Sequence, residues 1–366
     1  MALAHAALVS SDPADGAVLA TAPDHLALTF NEPVSPTVLS LTGADGKARP
    51  LDHYHREDAT LVIDAPAGLA RGSYALNWRV ISADGHPVSG ASTFSIGVAG
   101  GRPLASAEGT DPAVAIAFWL AKVVVYIGLF AGIGGVAFGA FIAPLPSGAA
   151  KVVRTALAGG LVAAVVSLGL EGLDALGRGL ANLADPAVWG AGWATSYATT
   201  VAVACAAFVI ALVGEWQPRW RRPSAFVALA AVGLALAASG HASAADPQWL
   251  MRPLVFIHTV AITWWLGALI PLAAIIHAGG DARRAALVRF TRFIPYAVVL
   301  LVLSGPILAL VQVEQVSALW STTYGRVLLA KLSLVAALLL VAAVNRWWLT
   351  APAERGDADA GRRLRL

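Results

Sequence analysis

From Pro112 onward the chain carries apolar runs that a water-soluble fold has no means of hiding. Seven stretches, at 113–143, 152–175, 194–214, 223–243, 252–278, 293–313 and 324–349, are each long enough to cross a bilayer. Hydrocarbon offers the backbone no hydrogen-bond partners, so such runs satisfy their own amides as helices. Composition agrees: 58% of the 366 residues are hydrophobic and only 13% are charged, which excludes an ordinary soluble protein. The apolar excess is uneven. Up to about Glu108 the sequence is mixed and rich in turn signals, so a head and a membrane body are expected.

The head reads as an all-β antiparallel sandwich of Greek-key, immunoglobulin- or cupredoxin-like type. Alternation marks strands at 25–30, 38–42, 60–64, 73–82 and 93–97, separated by the turn pairs Asp15-Gly16, Asp45-Gly46 and Asp84-Gly85. The body reads as an all-α polytopic bundle of about seven helices. The expected boundaries are 5–98 for the head, 99–111 for a linker, 112–350 for the body and 351–366 for a tail. The single cysteine, Cys205, excludes a disulfide framework and reads as a small hydrophobe inside a span.

Basic residues orient the body. Arg219, Arg221 and Arg222 follow the third span, Arg283, Arg284, Arg289 and Arg292 the fifth, and Arg355, Arg362, Arg363 and Arg365 the seventh. Positive loops stay in the cytoplasm, and with an odd number of spans this places the tail inside and the head outside. Six ionisable residues then fall in the outward half of the bilayer: Lys122, Glu171, Asp174, His241, His258 and Lys331. Intramembrane charge is costly and faces a partner or an aqueous cavity, so a polar chamber open toward the head is expected. Interfacial placement and outward snorkelling of the lysines are the blander alternative. Gly132, Gly134, Gly135, Gly159 and Gly160 read as helix-packing positions.

The head carries metal chemistry at its two ends of sequence. Ala2-Leu3-Ala4 has the small-x-small form of a secretory cleavage site, and a cut before His5 would free a histidine whose amine and ring each offer a nitrogen. In Asp84-Gly85-His86 the outer two residues point to one side of an extended segment. Three nitrogens and one oxygen suit Cu(II), and zinc would accept the same set. The pair His53 and His55 reads as a solvated strand face.

These segments carry a resemblance. HAALVSSDPADGA, LTFNEPV and SADGHPVSGASTFSIG make residues 5–98 similar to the CopC family of periplasmic copper-binding sandwiches. ASGHASAADP, IHTVAITWWLGAL, RFTRFIPYAVVLLVLSG and TTYGRVLLAKL make the body similar to the CopD family of copper-resistance membrane proteins. The resemblance implies a CopC–CopD fusion with His5, Asp84 and His86 as Cu(II) ligands. The only methionines are Met1 and Met251, so the thioether Cu(I) site of some relatives is not expected in the head.

The function expected on this basis is copper handling, with Cu(II) captured outside and passed to the body for uptake, homeostasis or resistance. His241, His258 and Glu171 are the candidate intramembrane ligands, with Lys122, Asp174 and Lys331 lining the chamber, and Cu(I) is a candidate cargo there. The expected partners are copper ions, the lipid bilayer and a periplasmic copper donor or acceptor; no nucleic-acid partner and no enzyme activity are expected. The alternatives are electron transfer through haem or copper held by intramembrane histidines, and sequestration without flux.

Overall fold

Residues 6–43, 47–82, 87–97, 111–238, 247–278, 280–312, 317–344 and 348 are described by a computed structural model. Among them, nine strands build the head: β1 (Leu8–Asp12), β2 (Ala17–Leu19), β3 (His25–Phe30), β4 (Ser35–Thr42), β5 (Ala48–Pro50), β6 (Tyr54–Glu57), β7 (Thr60–Asp64), β8 (Gly72–Ile81) and β9 (Pro87–Ile96). They form two sheets, in the orders β1-β3-β7-β6 and β2-β9-β8-β4-β5. Every pair is antiparallel except β2 with β9, which run parallel over three residues.

Period-two patterning explains the core. Leu26, Leu28 and Phe30 of β3 and Leu61 and Ile63 of β7 point inward from one sheet. Leu39, Leu41, Tyr74, Leu76, Trp78 and Val80 answer from the other. Phe30 and Trp78 meet edge to face across the gap, with centroids 5.1 Å apart. The sequence missed β1, β2, β5 and β6, whose residues are largely exposed and lack a buried stripe.

The body is helical. We number its helices α1 (Pro112–Phe141), α2 (Ser147–Leu176), α3 (Pro186–Trp193), α4 (Tyr197–Trp216), α5 (Arg221–Ala237), α6 (Gln248–Ala278), α7 (Gly280–Gln312) and α8 (Thr323–Val344). Six of them are long and apolar enough to cross a membrane among the described residues. The expected fourth span corresponds to α5, a 17-residue helix over its described length. A π-helical stretch at Gly128–Ile133 interrupts α1. Outside, the helices present Trp119, Val162, Phe226 and Leu303; inside, they bury Ser167, Thr263 and Glu171. Apolar outside and polar inside is the distribution that hydrocarbon selects.

The short helix α3 was not expected, since its segment reads as a loop. Asp185 caps it, its Oδ1 accepting from the Ala187 N–H at 2.9 Å. That backbone bond, more than the paired Arg178 guanidinium, holds the Asp185 carboxyl below the usual carboxylate range.

Helix contact in the body depends on missing side chains. A Cβ on Gly128 would lie 2.7 Å from the Cα of Gly160 and 2.8 Å from the carbonyl oxygen of Ala156, both backbone atoms that cannot turn away. Gly128→Val is therefore expected to destabilise the body by about 1–3 kcal/mol, the usual cost of overpacking. Gly190→Ala, whose added carbon meets nothing within 4 Å, serves as the neutral control. Thermal midpoints in detergent micelles check both.

Candidate functional site

The start of the head is held at one end of the sandwich. Ala6 is 3% exposed and packs into the head core. The Ala7 N–H donates to Asn31 Oδ1 at 2.6 Å, and the Asn31 N–H donates back to the Ala7 carbonyl at 3.1 Å. Asn31 directly follows β3 and leads into β4, whose first residue, Ser35, pairs with Ile81 of β8. Ile81 in turn pairs with Pro87 of β9. The predicted ligands His5, Asp84 and His86 lie outside the described residues. His5 is covalently next to Ala6, and Asp84 and His86 fall in the sequence between Ser82 and Pro87. The described anchors of all three segments thus share one end of the head.

The same end touches the body. Arg79 of β8 places Nη2 2.9 Å from Oδ1 of Asp174 on α2, with the two side chains 7% and 15% exposed. The hydroxyl of Thr37 on β4 lies 2.8 Å from the carbonyl oxygen of Ala175, the residue after Asp174. Gly177 ends α2 in the left-handed conformation, φ 64°, and a Cβ there would stand 3.2 Å from Nη1 of Arg79. Arg79 and Thr37 were not singled out by sequence. A signal exists for Arg79: nearly every residue of β8 is buried on both faces, as in a strand covered twice.

Below Asp174, α2 presents Glu171 and Ser167 at helical spacing on the same face. Glu171 is 3% exposed. Lys122 of α1 approaches this face, within electrostatic range of Glu171 and Asp174. Its Nζ lies 3.9 Å from the Phe118 ring centroid and 5.0 Å from that of Tyr197. Phe118 and Tyr197 meet edge to face at 5.6 Å. The Tyr197 hydroxyl is 2.9 Å from Ser167 Oγ, which also donates to the Ala164 carbonyl at 2.8 Å. Lys122, Glu171 and Asp174 therefore come together between α1 and α2, with Asp174 turned toward the head.

His258 belongs to a different helix pair. On α6, its Nδ1 is 2.9 Å from Ser304 Oγ on α7. The Ser304 hydroxyl donates to the Leu300 carbonyl at 2.5 Å, so it accepts from Nδ1. In the neutral ring that arrangement leaves the lone pair on Nε2, the nitrogen suited to a metal. Ser304 was missed because 46 residues separate it from His258. His241 lies outside the described residues, and of Lys331 only its place on α8 is described. In the head, His55 Nε2 lies 3.3 Å from Glu57 Oε1 on the exposed strand β6. Among the described residues no three His, Cys, Asp or Glu side chains converge on a metal position.

Comparison with known proteins follows this division. Residues 8–97 match the CopC domain, and residues 284–366 match Copper resistance protein D. The chain is 24% identical over 372 residues to Copper transport protein CutJ of Bacillus subtilis (strain 168), covering 93% of this chain and 68% of that protein. It is 34% identical over 105 residues to Copper resistance protein C of Xanthomonas campestris pv. juglandis, covering 26% of this chain and 82% of that one. Among solved structures, CopC from Methylosinus trichosporium OB3b aligns at 32% identity over 25% of this chain and 93% of its own, with a TM-score of 0.23.

The Lys122 and Glu171 charges should behave as a unit. Removing either alone strands the other in a low-dielectric interior, whereas removing both removes the problem. Lys122→Met and Glu171→Gln are each expected to lower stability, and the double variant to lose less than the sum of the two, with a coupling of about 0.5–3 kcal/mol in a double-mutant cycle. Denaturation of the purified full chain measures it; additive losses would separate the two residues.

Proposed function

The chain belongs to the copper-resistance family that joins a CopC-type head to a CopD-type body, and on that premise we propose that it captures Cu(II) outside the membrane and passes copper into its helical body. The ligands are the amine and ring of a freed His5, the carboxylate of Asp84 and the ring of His86, a nitrogen-rich set suited to Cu(II). The body receives the ion with His241 and His258 as its intramembrane ligands and Glu171 assisting, for Cu(II) or for Cu(I). The protein works as a carrier and not as an enzyme. A soluble donor or acceptor meets the head on the outer side.

One observation carries this reading. The head end that anchors the sequence neighbours of His5, Asp84 and His86 is the end that touches α2, directly above the buried Glu171. The arginine-rich connections after the third, fifth and seventh spans support a cytoplasmic tail and an outward head in a bacterial inner membrane.

Measurements on the purified protein and in cells test it. Correctly matured full-length protein should give a nitrogen-rich type 2 Cu(II) signal by electron paramagnetic resonance. His86→Ala should weaken Cu(II) binding beyond the ~10–100-fold that loss of an outer-shell partner brings. Cells carrying Glu171→Gln or His258→Ala should accumulate less copper than wild type while retaining the Cu(II) signal of the head. Unchanged accumulation in both variants would remove the body's ligands from the proposal, and a Soret band in purified protein would favour electron transfer.

A further inference from the structure

We propose that Thr37 and Arg79 form a docking latch through which the head supplies the carboxy-terminal cap of the membrane helix α2. The latch fixes where the copper-capturing end of the head sits on the body; its significance rests on the reading that the head hands copper over.

The end of a helix leaves its last carbonyls without intrahelical partners. At the end of α2 three of these carbonyls can be followed. The Gly177 N–H bonds to the Asp174 carbonyl at 3.1 Å, and the Arg178 N–H to the Leu173 carbonyl at 2.9 Å. The Ala175 carbonyl receives its hydrogen bond from the head, through Thr37 Oγ1. Thr37 reaches it because of a local irregularity. Pro36 pairs with Val80 and Val38 with Arg79, so Thr37 stands outside the ladder. Such a bulge re-aims a side chain that regular pairing would hold in place.

Arg79 completes the cap electrically. The carboxy end of a helix carries partial negative charge and favours a cation. Here the cation comes from another domain and also meets Asp174, in the last turn of α2. Gly177 lets the guanidinium come close, since it both turns the chain at positive φ and has no side chain to fend Arg79 off. Both charges are largely removed from water. A displaced head would leave each without its partner, so this pair discriminates one seating from all others.

The test uses the full chain in lipid nanodiscs with its native cysteine replaced (Cys205→Ser). Spin labels are attached at two exposed sites away from the contact, Val18→Cys on the head and Val209→Cys on α4 of the body. Pulsed dipolar spectroscopy should give one narrow distance distribution in this parent. Arg79→Gln and Asp174→Asn should each broaden it several-fold, and the double variant should broaden it no further than the wider single, because the two residues act through each other. Asp174→Asn leaves the head sequence intact, so a folding defect in the head cannot account for its effect. Distributions as narrow as the parent in both singles would overturn the latch, as would additive broadening in the double. Copper accumulation is measured separately. A broadened distribution with undiminished accumulation upholds the latch and overturns handover; a narrow distribution with diminished accumulation does the reverse.

Discussion

Hydrocarbon gives a polar group nothing to bond to, and the body of this protein is arranged around that fact. Hydroxyls within the helices return to carbonyls of their own or a neighbouring helix. Ser167 bonds to Ala164, Thr263 to Thr259, Thr291 to Leu287 and Ser304 to Leu300, while Thr200 crosses to Ala235. Beside these locally satisfied hydroxyls, Lys122 and Glu171 stand on one side of the body and His258 on another. Groups that cost this much to bury are kept where they act. The head obeys the same rule from outside, since its contact with the body is made through a hydroxyl and a charge that α2 leaves to be answered.

How much of this is legible in sequence depends on whether a residue's environment is local. Strands β3 and β7 announce themselves because one face of each is buried in the sandwich and alternation records it. The tetrapeptide Tyr-His-Arg-Glu of β6 is exposed throughout, and an edge strand with no buried face writes no pattern. The membrane helices are legible by length alone. The fourth apolar run, 223–243, coincides with α5 over its described part, which runs to Ala237. Ser304 and Tyr197 owe their roles to helices brought beside them by the fold, and no spacing rule connects them to His258 or Ser167.

The site divides in the same way. The chemical suitability of His5, Asp84 and His86 is written in residue type and position, and the CopC match over 8–97 places the head in a copper-binding context. The contact of head with body was not legible. Arg79 lies in a strand whose inward neighbours, Trp78 and Val80, explain only one face. What covers the other face is a residue 95 positions later. A tether was the natural expectation from the linker; the ion pair gives the head a seat.

The π-helical stretch in α1 has a consequence for how the body is divided. A single extra residue advances a helix by roughly 100°, because each residue of an α-helix takes 1/3.6 of a turn. Before Gly128, α1 turns Lys122 toward Tyr197 and the acidic face of α2. After it, Gly134 lies against Gly267 of α6. One rod is thereby clocked twice, and its two halves answer to different neighbours. The two halves of α1 can therefore vary their packing partners separately, so a substitution on the Lys122 face need not disturb the close contact of Gly134 with α6.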